Sequence, residues 1–161
     1  MKILIVSDTH GRDANLETVV MQEAPFDLLI HCGDVEGKEF FIEALAEGPC
    51  CIVGGNNDFY SDLPSEEIVM LGKKRALVTH GHYYSVSRDY DYLVERAREK
   101  ECEIALFGHI HRPVLEEYEG VLLVNPGSLS FPRQKGRMPS YAVIRVDTLN
   151  EIHVDIQYLD E

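Results

Sequence analysis

Asp8 and His10 stand two positions apart just after an apolar run, Ile3 to Val6, in the stretch KILIVSDTHG. A carboxylate and an imidazole so placed are the pair a divalent transition-metal ion takes. If the segment stays extended, residues i and i+2 point the same way and the two groups leave the strand side by side. The chain repeats the arrangement. Leu28 to Ile30 leads to Asp34, Ile52-Val53 to Asn56, Ala76 to Val78 to His80, and Ile104 to Phe107 to His109 and His111. Each group has a glycine close by, which lets the backbone turn sharply and lets a ligand approach.

The donor set narrows the chemistry. Asp8, His10, Asp34, Asn56, His80, His109 and His111 offer imidazole, carboxylate and amide oxygen but no thiolate. That set suits manganese, iron, nickel or zinc and disfavours a structural zinc site. These groups are too many for one such ion and about right for two. Asp34, alone on its strand end, is the candidate to bridge them. Paired cations about 3.5–4 Å apart recur in the hydrolysis of phosphoryl esters. Taken singly, each histidine reads as structural, and Asp or Asn after a strand is an ordinary turn former. Only the full set points to metal. His31 and His82 neighbour candidates but are expected to point the other way and to support or pack. His153 reads as a surface residue.

Positioning these groups requires a particular order of elements. Short β-branched runs mark strands at Leu28 to Ile30 and Cys50 to Val53 after the first one. Between them lie a helix after Asp13 with Leu16, Val19, Val20 and Glu23 in phase, and an amphipathic segment after Gly37. Phe40, Phe41, Ala44 and Leu45 are its expected buried face. This β-α-β-α-β order predicts a mainly parallel, helix-covered sheet. Glu66 to Leu71 and Ala76 to Thr79 around Gly72-Lys73-Lys74 predict a hairpin, and Tyr90 to Lys100 a helix with Leu93, Val94 and Ala97 inward. Short strands follow at Ile104 to Phe107, Val114 to Glu117, Val121 to Val124, Tyr141 to Val146 and Ile152 to Tyr158, with a turn at Asn125 to Ser128. Together they predict a mixed α/β sandwich of two sheets with helices outside, one domain over residues 1–161.

Bulk properties exclude other classes. A formal charge of −13 argues against a passive electrostatic grip on nucleic acid or an anionic membrane. It leaves phosphorylated substrates open, since bound cations reverse the local field. No apolar run nears the roughly 18 residues of a membrane span. Cys32, Cys50, Cys51 and Cys102 show no CxxC spacing, and no signal-like segment opens the chain. Reduced thiols in a cytoplasmic protein are therefore expected.

Five blocks, Asp8-x-His10, Gly33-Asp34, Gly55-Asn56-x-Asp58, His80-Gly81 and Gly108-His109-x-His111, resemble those of the calcineurin-like metallophosphoesterase superfamily. With the short length and the Asn125-Pro126-Gly127-Ser128 turn, the chain is most similar to its small bacterial and archaeal phosphodiesterases, the YfcE/MJ0936-like group. The resemblance implies a four-layer αββα sandwich of two mixed sheets flanked by helices. It implies two divalent transition-metal ions, manganese foremost, with nickel, iron or zinc as alternatives. One would be held by Asp8, His10, Asp34 and His111, the other by Asp34, Asn56, His80 and His109. Catalytic roles fall on Asp34, Asn56, Asn57 and Asp58, and the reaction is hydrolysis of a small phosphodiester by a hydroxide activated between two metals. Phosphomonoester hydrolysis, or a non-catalytic scaffold of the retromer-subunit type, are the alternatives. Homo-oligomers are usual in such a group, while membrane or stable nucleic-acid partners are not expected. Where much of the superfamily has His after the metal-binding Asn, this chain has Asn57, which can donate a hydrogen bond but not a proton. Arg112 reads equally as a substrate contact or a solvated arginine.

Overall fold

Strand β1 (Lys2–Val6) is apolar on both sides because both faces are covered. Ile3 and Ile5 point into one hydrophobic core, Leu4 and Val6 into another. The computed structural model describes residues 1–160 and extends this pattern through the chain. In order follow α1 (Ala14–Glu23), β2 (Leu28–His31), α2 (Glu39–Ala46), β3 (Cys50–Ile52), β4 (Glu66–Leu71), β5 (Lys74–Thr79), α3 (Asp91–Glu99), β6 (Ile104–Leu106), β7 (Pro113–Tyr118), β8 (Val121–Pro126), β9 (Ser140–Val146) and β10 (Ile152–Tyr158). A single 3-10 turn, His82–Tyr84, follows β5.

The strands form two five-stranded mixed sheets, ordered β10-β9-β1-β2-β3 and β4-β5-β6-β8-β7. In the first, β1, β2 and β3 run parallel, with Ile5 paired to Ile30 and Ile30 to Cys51. In the second, β5, β6 and β8 run parallel, with Val78 paired to Leu106 and Leu106 to Val124. Ile3, Ile5, Ile30, Val78, Leu106, Val124 and Ile144 fill the space between the sheets. Leu4, Leu29 and Val143 meet Leu16, Val19 and Ile42 of α1 and α2 on one outer face. Leu77, Ala105 and Leu123 meet Leu93, Val94 and Ala97 of α3 on the other. Three cores thus separate four layers, the αββα sandwich expected from the order of elements.

Two local expectations fail. In α2 only Ile42 is fully buried, whereas Phe40 is 78% and Phe41 41% exposed. Aromatic bulk suggested the wrong face, because Ile42, with Leu45 and Ala46 partly buried beside it, is the phase that meets the sheet. The β4–β5 hairpin closes through Gly72-Lys73 alone, since Lys74 already pairs with Leu71. Cys32 and Cys102 are buried, Cys50 and Cys51 half-buried, and all four thiols are free. No helix among the described residues is long and apolar enough to cross a membrane.

Candidate metal centre

Because β1, β2 and β3 are parallel neighbours, as are β5, β6 and β8, six carboxyl ends reach one rim of the sandwich. The loops there tie the two sheets together. The Asp8 and His10 amides donate to the Gly33 and Asp34 carbonyls at 3.1 and 2.9 Å, and the Gly108 amide to the His80 carbonyl at 3.0 Å. Across the sheets, the His109 amide donates to Asp8 Oδ2 at 3.0 Å, and His80 Nδ1 to the Cys32 carbonyl at 2.7 Å.

Five of the predicted donors leave this rim with left-handed backbone: Asp8, His10, Asp34, His109 and His111 have φ between 50° and 73°. Non-glycine residues rarely adopt that region, and such strain persists where the surroundings over-determine it. Asp8 and His10 therefore converge by a different route from strand alternation. β1 ends at Val6, and two left-handed residues, not an extended segment, bring the side chains together. The nearby glycines serve mostly by what they lack. A Cβ on Gly108 would strike Ser7 Oγ and Asp8 Oδ2, and one on Gly55 would strike the Asp34 carboxylate.

The donors gather in two touching halves. In the first, His10 Nε2 and His111 Nε2 lie 3.2 Å apart, with Asp8 Oδ1 3.2 Å from His111 Nε2 and 3.8 Å from His10 Nε2. The other ring nitrogens fix the tautomers. His111 Nδ1 faces the Phe131 carbonyl at 2.8 Å, which can only accept, and His10 Nδ1 faces Glu36 Oε1 at 2.9 Å. Both Nδ1 atoms therefore donate, and two bare Nε2 lone pairs point at one another beside a carboxylate oxygen. In the second half, His80 Nε2 lies 3.3 Å from Asp34 Oδ2 and 3.0 Å from Asn56 Oδ1, and His109 Nδ1 lies 3.1 Å from that same Asn56 oxygen.

Two carboxylates stand between the halves, where one was expected. Asp34 Oδ2 is 3.3 Å from His80 Nε2 and 3.6 Å from His10 Nε2. Asp8 Oδ1 is 3.2 Å from His111 Nε2 and 3.7 Å from His80 Nε2. Asp8 is fully buried; its Oδ2 accepts from Ser7 Oγ and the His109 amide, while Oδ1 has no hydrogen-bond partner among the described residues. An orphaned buried carboxylate oxygen is costly unless a cation completes it.

Charge tells the same story. Burial pushes the Asp8 carboxyl up, but the neighbouring His111 and His80 imidazoles outweigh this and leave it low. Asp34 is likewise opposed by burial yet held well below the usual carboxylate range by His80 and by the Asn57 amide groups. Burial would lower the His80 pKa, but Asp34 and Asp8 overcome it and raise it above the ordinary imidazole value. Surplus negative charge that attracts a proton would equally attract a cation. By donor chemistry, tautomer and charge, these residues fit a divalent metal pair.

Not every candidate meets the centre directly. Asn57 gives its backbone N–H to Asp34 Oδ1 and its side-chain amide to Asp34 Oδ2, both at 2.9 Å. Asp58 faces the backbone instead, accepting from the amides of Asp34, Gly55 and Glu36 at 2.7 to 2.8 Å and of Val35 at 3.4 Å. His31 is buried between Thr9 Oγ1 and the Gly33 amide, and burial lowers its pKa to about 4. His82 sits in the 3-10 turn rather than an extended segment, its ring 5.4 Å from that of His80. Arg112 is exposed, and His153 pairs with Asp147 at the surface. The Asn125-to-Ser128 segment noted in the sequence also matters. Asn125 Nδ2 donates to the Gly108 carbonyl at 2.9 Å and Ser128 Oγ to the Asp8 carbonyl at 2.8 Å, so the turn after β8 clasps both histidine-bearing rims. Ser7, Glu36 and the Phe131 carbonyl orient donors, but no spacing rule marks them.

Comparison with known proteins agrees with this geometry. The family described as the calcineurin-like phosphoesterase superfamily domain matches residues 1–149. A probable metallophosphoesterase, YsnB of Bacillus subtilis, is 36% identical over 162 residues, covering 100% of this chain and 92% of its own. Phosphodiesterase MJ0936 of Methanocaldococcus jannaschii is 30% identical over 145 residues, 79% of this chain and 83% of its own. A crystal structure of a predicted phosphoesterase from Streptococcus pneumoniae superposes with a TM-score of 0.84 at 33% identity, covering 98% of this chain and 88% of that one. Vps29 from Entamoeba histolytica shares the fold at a TM-score of 0.79 and 20% identity, over 99% of this chain and 100% of that one.

Proposed function

Because this chain belongs to the calcineurin-like phosphoesterase superfamily, we propose that it is a metal-dependent hydrolase of small phosphodiesters working with two divalent cations, manganese foremost. The observation that carries the reading is the buried Asp8 Oδ1, without a hydrogen-bond partner among the described residues, beside the bare nitrogens of His10 and His111. Asp8, His10, His111 and Asp34 would hold one cation, and Asp34, Asn56, His80 and His109 the other. When bound, such cations supply Lewis acidity, lowering the pKa of a coordinated water and withdrawing charge from the phosphoryl group.

The chain's own groups set the geometry for that chemistry. Asp34 stays ionised between the halves, steadied by two Asn57 hydrogen bonds. Asp58 acts as a positioning residue, because its carboxylate gathers the amides of the Asp34 and Gly55 loops. Glu36 and the Phe131 carbonyl keep His10 and His111 in the tautomer that offers Nε2. Free thiols at all four cysteines fit a reducing, cytoplasmic setting.

Metal content and hydrolysis, measured on the same preparation, test this. Purified protein is expected to hold two transition-metal equivalents and to cleave bis(p-nitrophenyl) phosphate, with loss on chelation and recovery on adding manganese. Asp34→Asn should weaken both equivalents together. Full activity in a rigorously metal-free preparation overturns the reading. Cleavage of p-nitrophenyl phosphate in preference to the diester would make the protein a monoesterase, and metal binding without hydrolysis of either would favour a scaffold.

A further inference from the structure

An open groove of about 930 Å³ runs from His10 and His111 along Arg12, Phe131, Arg133 and Arg137. Its charge is opposite to that of the molecule. In a chain of formal charge −13, three guanidinium groups share one wall beside the candidate centre. The arginine ion pairs of the protein use Arg88, Arg96, Arg98 and Arg145, so among the described residues Arg12, Arg133 and Arg137 have no carboxylate partner. Glu36, the acidic residue on the same wall, is turned to His10 Nδ1 at 2.9 Å.

The wall is also built. The Arg133 amide donates to the His111 carbonyl and Ser130 Oγ to the Arg12 carbonyl, both at 2.8 Å. Arg12 lies over the Phe131 ring at 4.8 Å, and the Phe131 carbonyl takes His111 Nδ1. The Arg137 amide closes a turn onto the Gln134 carbonyl at 2.9 Å. One loop therefore orients a predicted metal ligand, carries Arg133 and Arg137, and packs against Arg12. Guanidinium forks suit phosphate oxygens, to which they give paired charge-assisted hydrogen bonds. Uncharged diester arms would gain little from three such groups.

We infer that the groove of Arg12, Arg133 and Arg137 is an anion subsite, and that the substrate is a phosphodiester bearing a second phosphate on the arm lying beyond His10 and His111. The inference rests on the phosphodiesterase reading for the word substrate, but the subsite can be measured without it. In chelator-treated protein the carboxylates of the centre repel anions, so binding there reports the arginines alone.

The first measurement is calorimetric titration of metal-free protein with inorganic pyrophosphate at low and moderate salt. Wild type should bind, more weakly as salt rises, and Arg133→Ala with Arg137→Ala should weaken binding by at least about tenfold. Arg133→Lys should recover part of the loss, since charge remains while the fork does not. No binding by wild type, or equal binding by the double variant, overturns the subsite. The second measurement compares kcat/KM for two p-nitrophenyl diesters, one with an uncharged alkyl arm and one whose arm ends in phosphate. Wild type should prefer the phosphorylated arm by about tenfold or more, and the double variant should lose that preference. If neither diester is cleaved yet pyrophosphate binding depends on the arginines, the subsite stands and the phosphodiesterase reading fails. If both are cleaved without preference, the second phosphate on the substrate is ruled out while the phosphodiesterase reading stands.

Discussion

Asn57 gives Asp34 two hydrogen bonds, one from the backbone to Oδ1 and one from the side-chain amide to Oδ2. Toward a substrate, the remaining amide N–H supplies a hydrogen bond and never a proton. A leaving oxygen would therefore depart with most of its negative charge, and the rate should fall steeply as leaving-group pKa rises. Aryl diesters should far outpace alkyl ones. Single-turnover hydrolysis of a graded diester series, with the metal sites saturated, measures this slope. Asn57→His should help the poor leaving groups selectively, by up to the ~10²–10⁴-fold typical of general acid catalysis. A nearly flat wild-type series would mean that another group delivers the proton.

Among the elements, α2 offers the sharpest contrast between bulk and phase. Ile42 is fully buried against Leu4, Leu29 and Val35, whereas Phe40 projects to solvent. Ile42→Ala should cost about 2–5 kcal/mol in urea unfolding, while Phe40→Ser should stay within about 0.5 kcal/mol. On the opposite face, α3 is pinned to β4 by Arg96 and Glu66, with Tyr84 Oη donating to Glu66 Oε2 at 2.8 Å. Chiefly through the Arg96 hydrogen bond, Glu66 has its folded pKa lowered. A lowered folded pKa gives stability that is present above the ordinary glutamate value and lost as pH falls through the folded one. Thermal melting of wild type should therefore lose ground below about pH 4.5 relative to Glu66→Gln, whose contribution does not titrate there. Parallel pH curves for the two would dismiss the pair as a pH-dependent tie.

For the whole molecule, the centre is a stitch between two sheets. Asp8 and Asp34 come from the first sheet, His80 and His109 from the second, and the backbone is strained at five of the donors. Cations that bind only the folded arrangement stabilise it by mass action, about 2.7 kcal/mol at a hundredfold excess over Kd. Chelation should lower the melting temperature, and manganese should restore it in a concentration-dependent way. Asp8→Asn should abolish most of that metal-dependent gain. A melting temperature indifferent to chelator would argue against any metal in this stitch.

What the sequence determined by itself was the kind of chemistry and the layering. Short unbroken apolar runs foretold buried strands, and the identities of Asp8, His10, Asp34, Asn56, His80, His109 and His111 gave the hard-to-intermediate donor set expected there. These are local properties, carried by residue type and by what immediately precedes it. Tertiary structure alone decided how the donors meet. Left-handed turns at Asp8, His10, Asp34, His109 and His111 aim the side chains, and no neighbour in sequence dictates a positive φ for them. That Asp8 stands between the halves alongside Asp34 depends on the spacing of two separate sheets, which no single segment encodes. The same holds for Arg12, about 120 residues before Arg133 and Arg137 in the chain yet beside them in one groove, because Ser130 and Arg133 hydrogen-bond their loop onto Arg12 and His111. Side-chain direction and long-range juxtaposition are set by packing, whose free energy exists only once the layers have closed.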